Sequence, residues 1–138
     1  MDDKVFIFSR EEFIVLVAAS GIRQMYGFSI YEELDDQNAL QAMQNLVAKG
    51  QLLSVEGKFQ VQEPVASLFL QMKEAKTTMD VHKRSGKKCI VYIGTFAVKV
   101  SLSRRGKGML EVQGMMLSEL WKHLTEEGWI PIEKGETR

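Results

Sequence analysis

Lys88-Cys89-Ile90-Val91-Tyr92-Ile93, followed by Phe96-Ala97-Val98-Lys99-Val100-Ser101-Leu102, is the stretch on which the reading of this chain turns. The first run is apolar at both alternating sets of positions, the pattern of a central strand covered on both faces. The second run alternates, with Phe96, Val98, Val100 and Leu102 on one face and Ala97, Lys99 and Ser101 on the other. Upstream, from Thr77 to Lys83, the period is also two. Downstream, Met109 to Gln113 supplies a fourth strand. Short connections between these runs predict an antiparallel meander. Beyond it the period returns to helical. Met116, Leu117, Leu120, Trp121 and Leu124 are expected to be buried, and Gly128 ends the helix. Trp129-Ile130-Pro131 is expected to fold back on that helix, and the tail from Glu133 to Arg138 to fray.

Before the meander the signals are mostly helical. Lys4 to Phe8 is a short β-prone segment. Ser9-Arg10-Glu11-Glu12 is a capping-box sequence, and Phe8 and Phe13 occupy the hydrophobic-staple positions. Phe13, Leu16 and Val17 form the expected buried stripe, with Gly21 as the stop. A second helix spans Asp36 to Lys49, with Leu40, Met43, Leu46 and Val47 as its apolar face and Gly50 past its end. Gln51–Val55 and Lys58–Val61 flank Glu56-Gly57, which predicts a β-hairpin. Pro64 suits the first position of a third helix whose core stripe is Val65, Leu68, Phe69 and Met72. Helix, helix, hairpin is the outline of a winged helix. The expected fold is therefore α+β: a winged-helix-like subregion over residues 1–75, then an antiparallel β-meander plus C-terminal helix over residues 76–138. With no Pro- or Ser-rich linker between them, both belong to one domain of 138 residues.

Lys plus Arg and Asp plus Glu both number 18, so formal net charge is zero. That balance argues against a surface built wholly for phosphate backbones or acidic lipids. A 45% hydrophobic content argues against disorder. The single cysteine, Cys89, excludes an internal disulfide. The longest apolar run, Phe13 to Ser20, is too short to span a bilayer, and the start lacks a basic signal-peptide region. These features predict a soluble cytoplasmic protein with no membrane association.

Few residues suggest chemistry. A two-residue turn at Ser85-Gly86 would set His82 opposite Cys89, an arrangement that invites a Cys–His nucleophile pair. No oxyanion donors or orienting third group accompany it, so a core cysteine beside a surface histidine is the preferred reading. His82 and His123 lie far apart and no Cys-x-x-Cys exists, so no metal site is expected. Arg104-Arg105-Gly106-Lys107-Gly108 lacks the spacing of a phosphate loop. No catalytic residue and no cofactor is expected. The strongest polar feature is basic. Lys83, Arg84, Lys87 and Lys88 surround one turn, and Arg104, Arg105 and Lys107 occupy a later one. A meander brings its first and third turns to the same sheet end. Its functional reading is a docking patch for an acidic partner, or for nucleic acid; the bland one is two solvated turns.

The winged-helix outline raises a DNA-binding transcription regulator as the alternative. The helix in the recognition place opposes it, since Asp35 and Asp36 open that helix and Lys49 is its one cation. Nucleic acid is thus disfavoured as a partner.

The succession Phe8–Phe13, Ala39–Leu53 (with Leu46-Val47-Ala48-Lys49-Gly50 at the helix end), Glu56–Val61, the Pro64–Ala75 helix and the strands Lys87–Ile93 and Phe96–Leu102 resembles one half of the EspG proteins, cytosolic chaperones of mycobacterial type VII secretion. The similarity covers roughly residues 8–127 and is one of element order and apolar spacing. Family members carry two such halves. The resemblance implies a non-enzymatic chaperone or accessory that binds a helical secretion substrate. The single half implies a homodimer joined through a sheet edge, or a different protein partner.

Overall fold

The computed structural model describes residues 5–22, 34–83, 87–102 and 108–129. The elements run β1 (Val5–Ser9), α1 (Arg10–Ala19), α2 (Asp36–Ala48), β2 (Leu52–Val55), β3 (Lys58–Val61), α3 (Val65–Glu74), β4 (Thr77–His82), β5 (Lys88–Ile93), β6 (Ala97–Leu102), β7 (Met109–Met115) and α4 (Leu117–Glu126). This is an α+β fold with an antiparallel meander and a C-terminal helix. Among the described residues, no helix is long and apolar enough to cross a membrane.

Local sequence sets several boundaries. Ser9 caps α1, with its hydroxyl accepting from the Glu12 amide at 3.1 Å while Glu12 Oε1 accepts from the Ser9 amide at 2.7 Å. The second Glu12 oxygen takes the Lys49 ammonium at 2.9 Å, joining the start of α1 to the end of α2. Glu56 and Gly57 both have positive φ (51° and 76°), as a two-residue type I′ hairpin turn requires. Pro64 stands just before α3 rather than at its first position, after a cis Glu63–Pro64 peptide. The Glu63 carboxylate takes over the capping there, accepting from the Ser67 amide at 2.7 Å.

The main sheet has five strands in the order β1-β7-β6-β5-β4, every neighbouring pair antiparallel. The β4–β7 portion is the expected meander. The sequence offered no partner for the opening β-prone segment, and the sheet supplies one: Phe6 faces Val112 and Phe8 faces Leu110.

Both faces of the sheet are covered. On one, Phe6, Phe8, Ile90, Tyr92, Val98, Val100, Leu110 and Val112 meet Phe13, Leu16 and Val17 of α1 and Val65, Leu68, Phe69 and Met72 of α3. Phe69 lies against Phe8 and Phe13, with ring centroids 6.2 and 5.4 Å away. α2 and the β2–β3 hairpin pack on α1. On the other face a smaller cluster joins Cys89, Val91, Ala97 and Met115 to Leu124 and Trp129. Gly94, between β5 and β6, has the Gln71 side-chain amide so close that an added Cβ would fall 1.8 Å from its nitrogen.

Two helices present different faces from those expected. α2 buries Ala42 and Leu46, half-buries Met43, and leaves Leu40 and Val47 exposed. In α4 only Leu124 is fully buried, with Leu120 partly so; Met116, Leu117 and Trp121 point outward. The stop at Gly128 (φ 78°) is as expected, and Trp129 turns back on the helix end, its amide donating to the Leu124 carbonyl at 2.8 Å, with its side chain also buried against the sheet. Ile130, Pro131 and the Glu133–Arg138 tail lie outside the described residues.

Candidate functional site: a lysine cavity at the end of the last helix

The sheet face under α4 carries an unusual strand. Alternation puts Ala97, Lys99 and Ser101 of β6 on this face, and all three are buried. A lysine 4% exposed is rare unless paired. Lys99 has its partners on α4. Its ammonium hydrogen-bonds Glu127, at the helix C-cap, and lies 2.9 Å from His123 Nε2. The same Nε2 lies 2.9 Å from Glu127 Oε1, so ammonium, imidazole and carboxylate form one cluster. Burial pushes the Glu127 carboxyl pKa up. The hydrogen bond and charge of Lys99, then His123 and the Trp129 indole, outweigh that and hold it below the usual carboxylate range. Trp129 completes the group, with Lys83 Nζ 4.4 Å and Lys99 Nζ 5.8 Å from its ring centroid.

Beside this group opens a cavity of about 550 Å³. Lys83, Lys87, Lys88 and Lys99 contribute four ammonium groups to its lining, and Glu111, Glu126 and Glu127 three carboxylates; Trp129 and Ser101 also line it. Its size falls in the range of ligand cavities. Among the described residues no cluster of His, Cys, Asp and Glu is suited to a metal ion.

The sequence-derived sites fare unevenly. The Cys–His pair is not formed. Strand pairing sets Val81 opposite Cys89 and His82 opposite Lys88, one residue away from the expected register. Lys83 then pairs with Lys87, its amide donating to the Lys87 carbonyl at 2.7 Å, so the connection is longer than two residues. A one-residue slip sends the side chains to opposite faces: Cys89 is buried beneath α4 while His82 is exposed on the far side. Burial pushes the Cys89 thiol from 9.0 up to about 11, against the opposing pull of Lys99, which disfavours the thiolate at neutral pH. Of the seven basic residues, Lys83, Lys87 and Lys88 line the cavity; Arg84, Arg104, Arg105 and Lys107 lie outside the described residues.

Sequence reasoning missed Lys99, Glu127 and His123 as a group. A signal existed. Alternation puts Lys99 on the same face as Ala97, with Val91 opposite it on the neighbouring strand, an apolar setting in which an ammonium needs a partner. No protein-family model matches this chain, and neither a curated protein nor a solved structure does.

Proposed function

We propose that this chain is a non-enzymatic protein-binding module, an EspG-like chaperone or accessory for a helical type VII secretion substrate, acting as a homodimer joined at a sheet edge. The observation that carries the binding role is the outer face of α4. Leu117 and Trp121, one turn apart, are 44% and 65% exposed. Exposed apolar groups next to each other on a well-packed body mark contact surfaces, and tryptophan is prominent among residues that dominate binding energy. The hairpin adds Leu53, Val55 and Phe59, also exposed. Burial of the Cys89 thiol and the separation of His82 to the other face argue against a Cys–His nucleophile. The secretion role rests on element order alone: helix, helix, hairpin, helix, meander. β1 and β4 are the outer strands of the described sheet and offer the edges for self-association.

The α2 surface supports protein over DNA. Asp35 caps the helix by accepting from the Asn38 amide at 2.7 Å, which puts carboxylates where a recognition helix would meet phosphates.

The test is co-expression with a helical-hairpin secretion substrate of the type VII class. A soluble complex is expected, lost in the Leu117→Ser/Trp121→Asp variant whose circular dichroism stays native. Sedimentation of the chain alone is expected to give twice its 15.7 kDa mass. Retention on a DNA column that falls steeply with salt, with no substrate complex, would point to the transcription regulator instead.

A further inference from the structure

We propose that the cavity at the end of α4 docks an acidic segment of a protein partner: Lys99 seats one of its carboxylates, and Glu127 is the internal stand-in that this carboxylate displaces. The inference rests on the reading of the chain as a protein-binding module and names the chemistry of the partner.

Lys99 is fixed. It is buried on a central strand and its ammonium must keep an anionic or polar partner. Glu127 is held by Lys99, His123 and the Trp129 indole but is reached from solvent. It lies past the last turn of α4, its side chain is 44% exposed, and the negative end of a helix dipole disfavours a carboxylate there. The pair therefore joins a buried ammonium to a half-exposed carboxylate, and both line an open cavity. A carboxylate arriving from outside can take the place of Glu127 with no net loss of charge pairing, and frees Glu127 to solvent. Trp129 offers the apolar wall along which the stem of an acidic side chain can lie.

The lysines favour a segment over a single small acid. Lys83, Lys87 and Lys88 extend the cationic lining from Lys99 to the β4–β5 connection. One carboxylate can engage one or two of these groups; successive acidic side chains can engage them in turn. Glu111 and Glu126 repel the segment from the remaining part of the lining and so give it a direction.

The chain has two tryptophans, Trp121 and Trp129. Trp121→Phe leaves Trp129 as the sole indole reporter inside the cavity. In this background, acetylated hexaglutamate is expected to shift Trp129 fluorescence saturably, less so at high salt, while hexaglutamine has no effect. Glu127→Gln removes the stand-in and is expected to tighten hexaglutamate binding about tenfold. Lys99→Met is expected to abolish the response. Lys87→Gln/Lys88→Gln, changes at two exposed lysines of the lining that spare Lys99 and the Lys83–Trp129 contact, are expected to weaken binding several-fold without altering the melting temperature. No response in the Trp121→Phe protein, equal or weaker binding in Glu127→Gln, or glutarate binding as tightly as hexaglutamate would each overturn the proposal, the last by making this a small-acid site. If hexaglutamate fails while the complex governed by Leu117 and Trp121 still forms, the docking site falls and the module reading stands.

Discussion

Glu127 links charge to fold at a single residue. Its pKa is lowered in the folded chain, so the unfolded chain binds its proton more readily. The stabilisation it provides is complete above the ordinary value of 4.5 and is lost as pH falls through the lower folded value. Exposure of nearly half the side chain keeps the effect within about 1 kcal/mol. Urea midpoints of wild type and Glu127→Gln, followed from about pH 6 to about pH 3, should therefore converge on the acid side. A constant gap across that range would show that Lys99 does not discriminate the charged carboxylate. Local chemistry of another kind was legible directly. Ser9, Glu12, Phe8 and Phe13 specify a helix start from contacts within five residues, and Glu56-Gly57 specifies a turn. The Lys49 bridge to Glu12 was not legible, because 37 residues separate the two.

At the scale of elements, α4 holds to the sheet by a narrow seam: Leu124, Leu120, the Lys99–Glu127 pair and the returning Trp129. Leu124→Ala should cost about 3 kcal/mol through lost burial and the cavity left behind. Trp121→Ser, on the exposed side of the same helix, should stay within about 0.5 kcal/mol. Chemical denaturation of the two variants checks the contrast; equal losses would mean that α4 buries its other face. Helix faces were the least legible feature, for a physical reason. Periodicity identifies a set of large apolar residues, but the neighbour decides which of them it covers. On α2, α1 meets the small Ala42 together with Leu46, and Leu40 and Val47 are left outside. On α4, Leu117 and Trp121 satisfy the helical spacing as well as Leu120 and Leu124 do. The strand faces were clearer, since a period of two admits only two choices. They still hung on loop length, and a connection longer than two residues undid the His82–Cys89 pairing.

The whole molecule is a sheet between unequal layers, and stability should divide accordingly. Phe69 touches the rings of both Phe8 and Phe13 in the larger layer. Phe69→Ala should cost about 3–5 kcal/mol, a large part of the total for a domain of this size. A melting curve shifted down by more than 10 °C is the expected reading, and a shift of a few degrees would place the main core elsewhere. The candidate site was illegible at this scale because it arises only when α4 closes over β6. Lys99 precedes Glu127 by 28 positions, and no local pattern joins them.

Pairing of β1 with β7 also has a consequence for synthesis on the ribosome. Ser9 lies opposite Met109, so β1 must wait until β7 has been made before its backbone groups find their ladder. At ordinary translation speeds the delay is about 5–20 s. Throughout it, Val5-Phe6-Ile7-Phe8 is a sticky, chargeless ribbon on a nascent chain, a ready target for holdases and for neighbouring polypeptides.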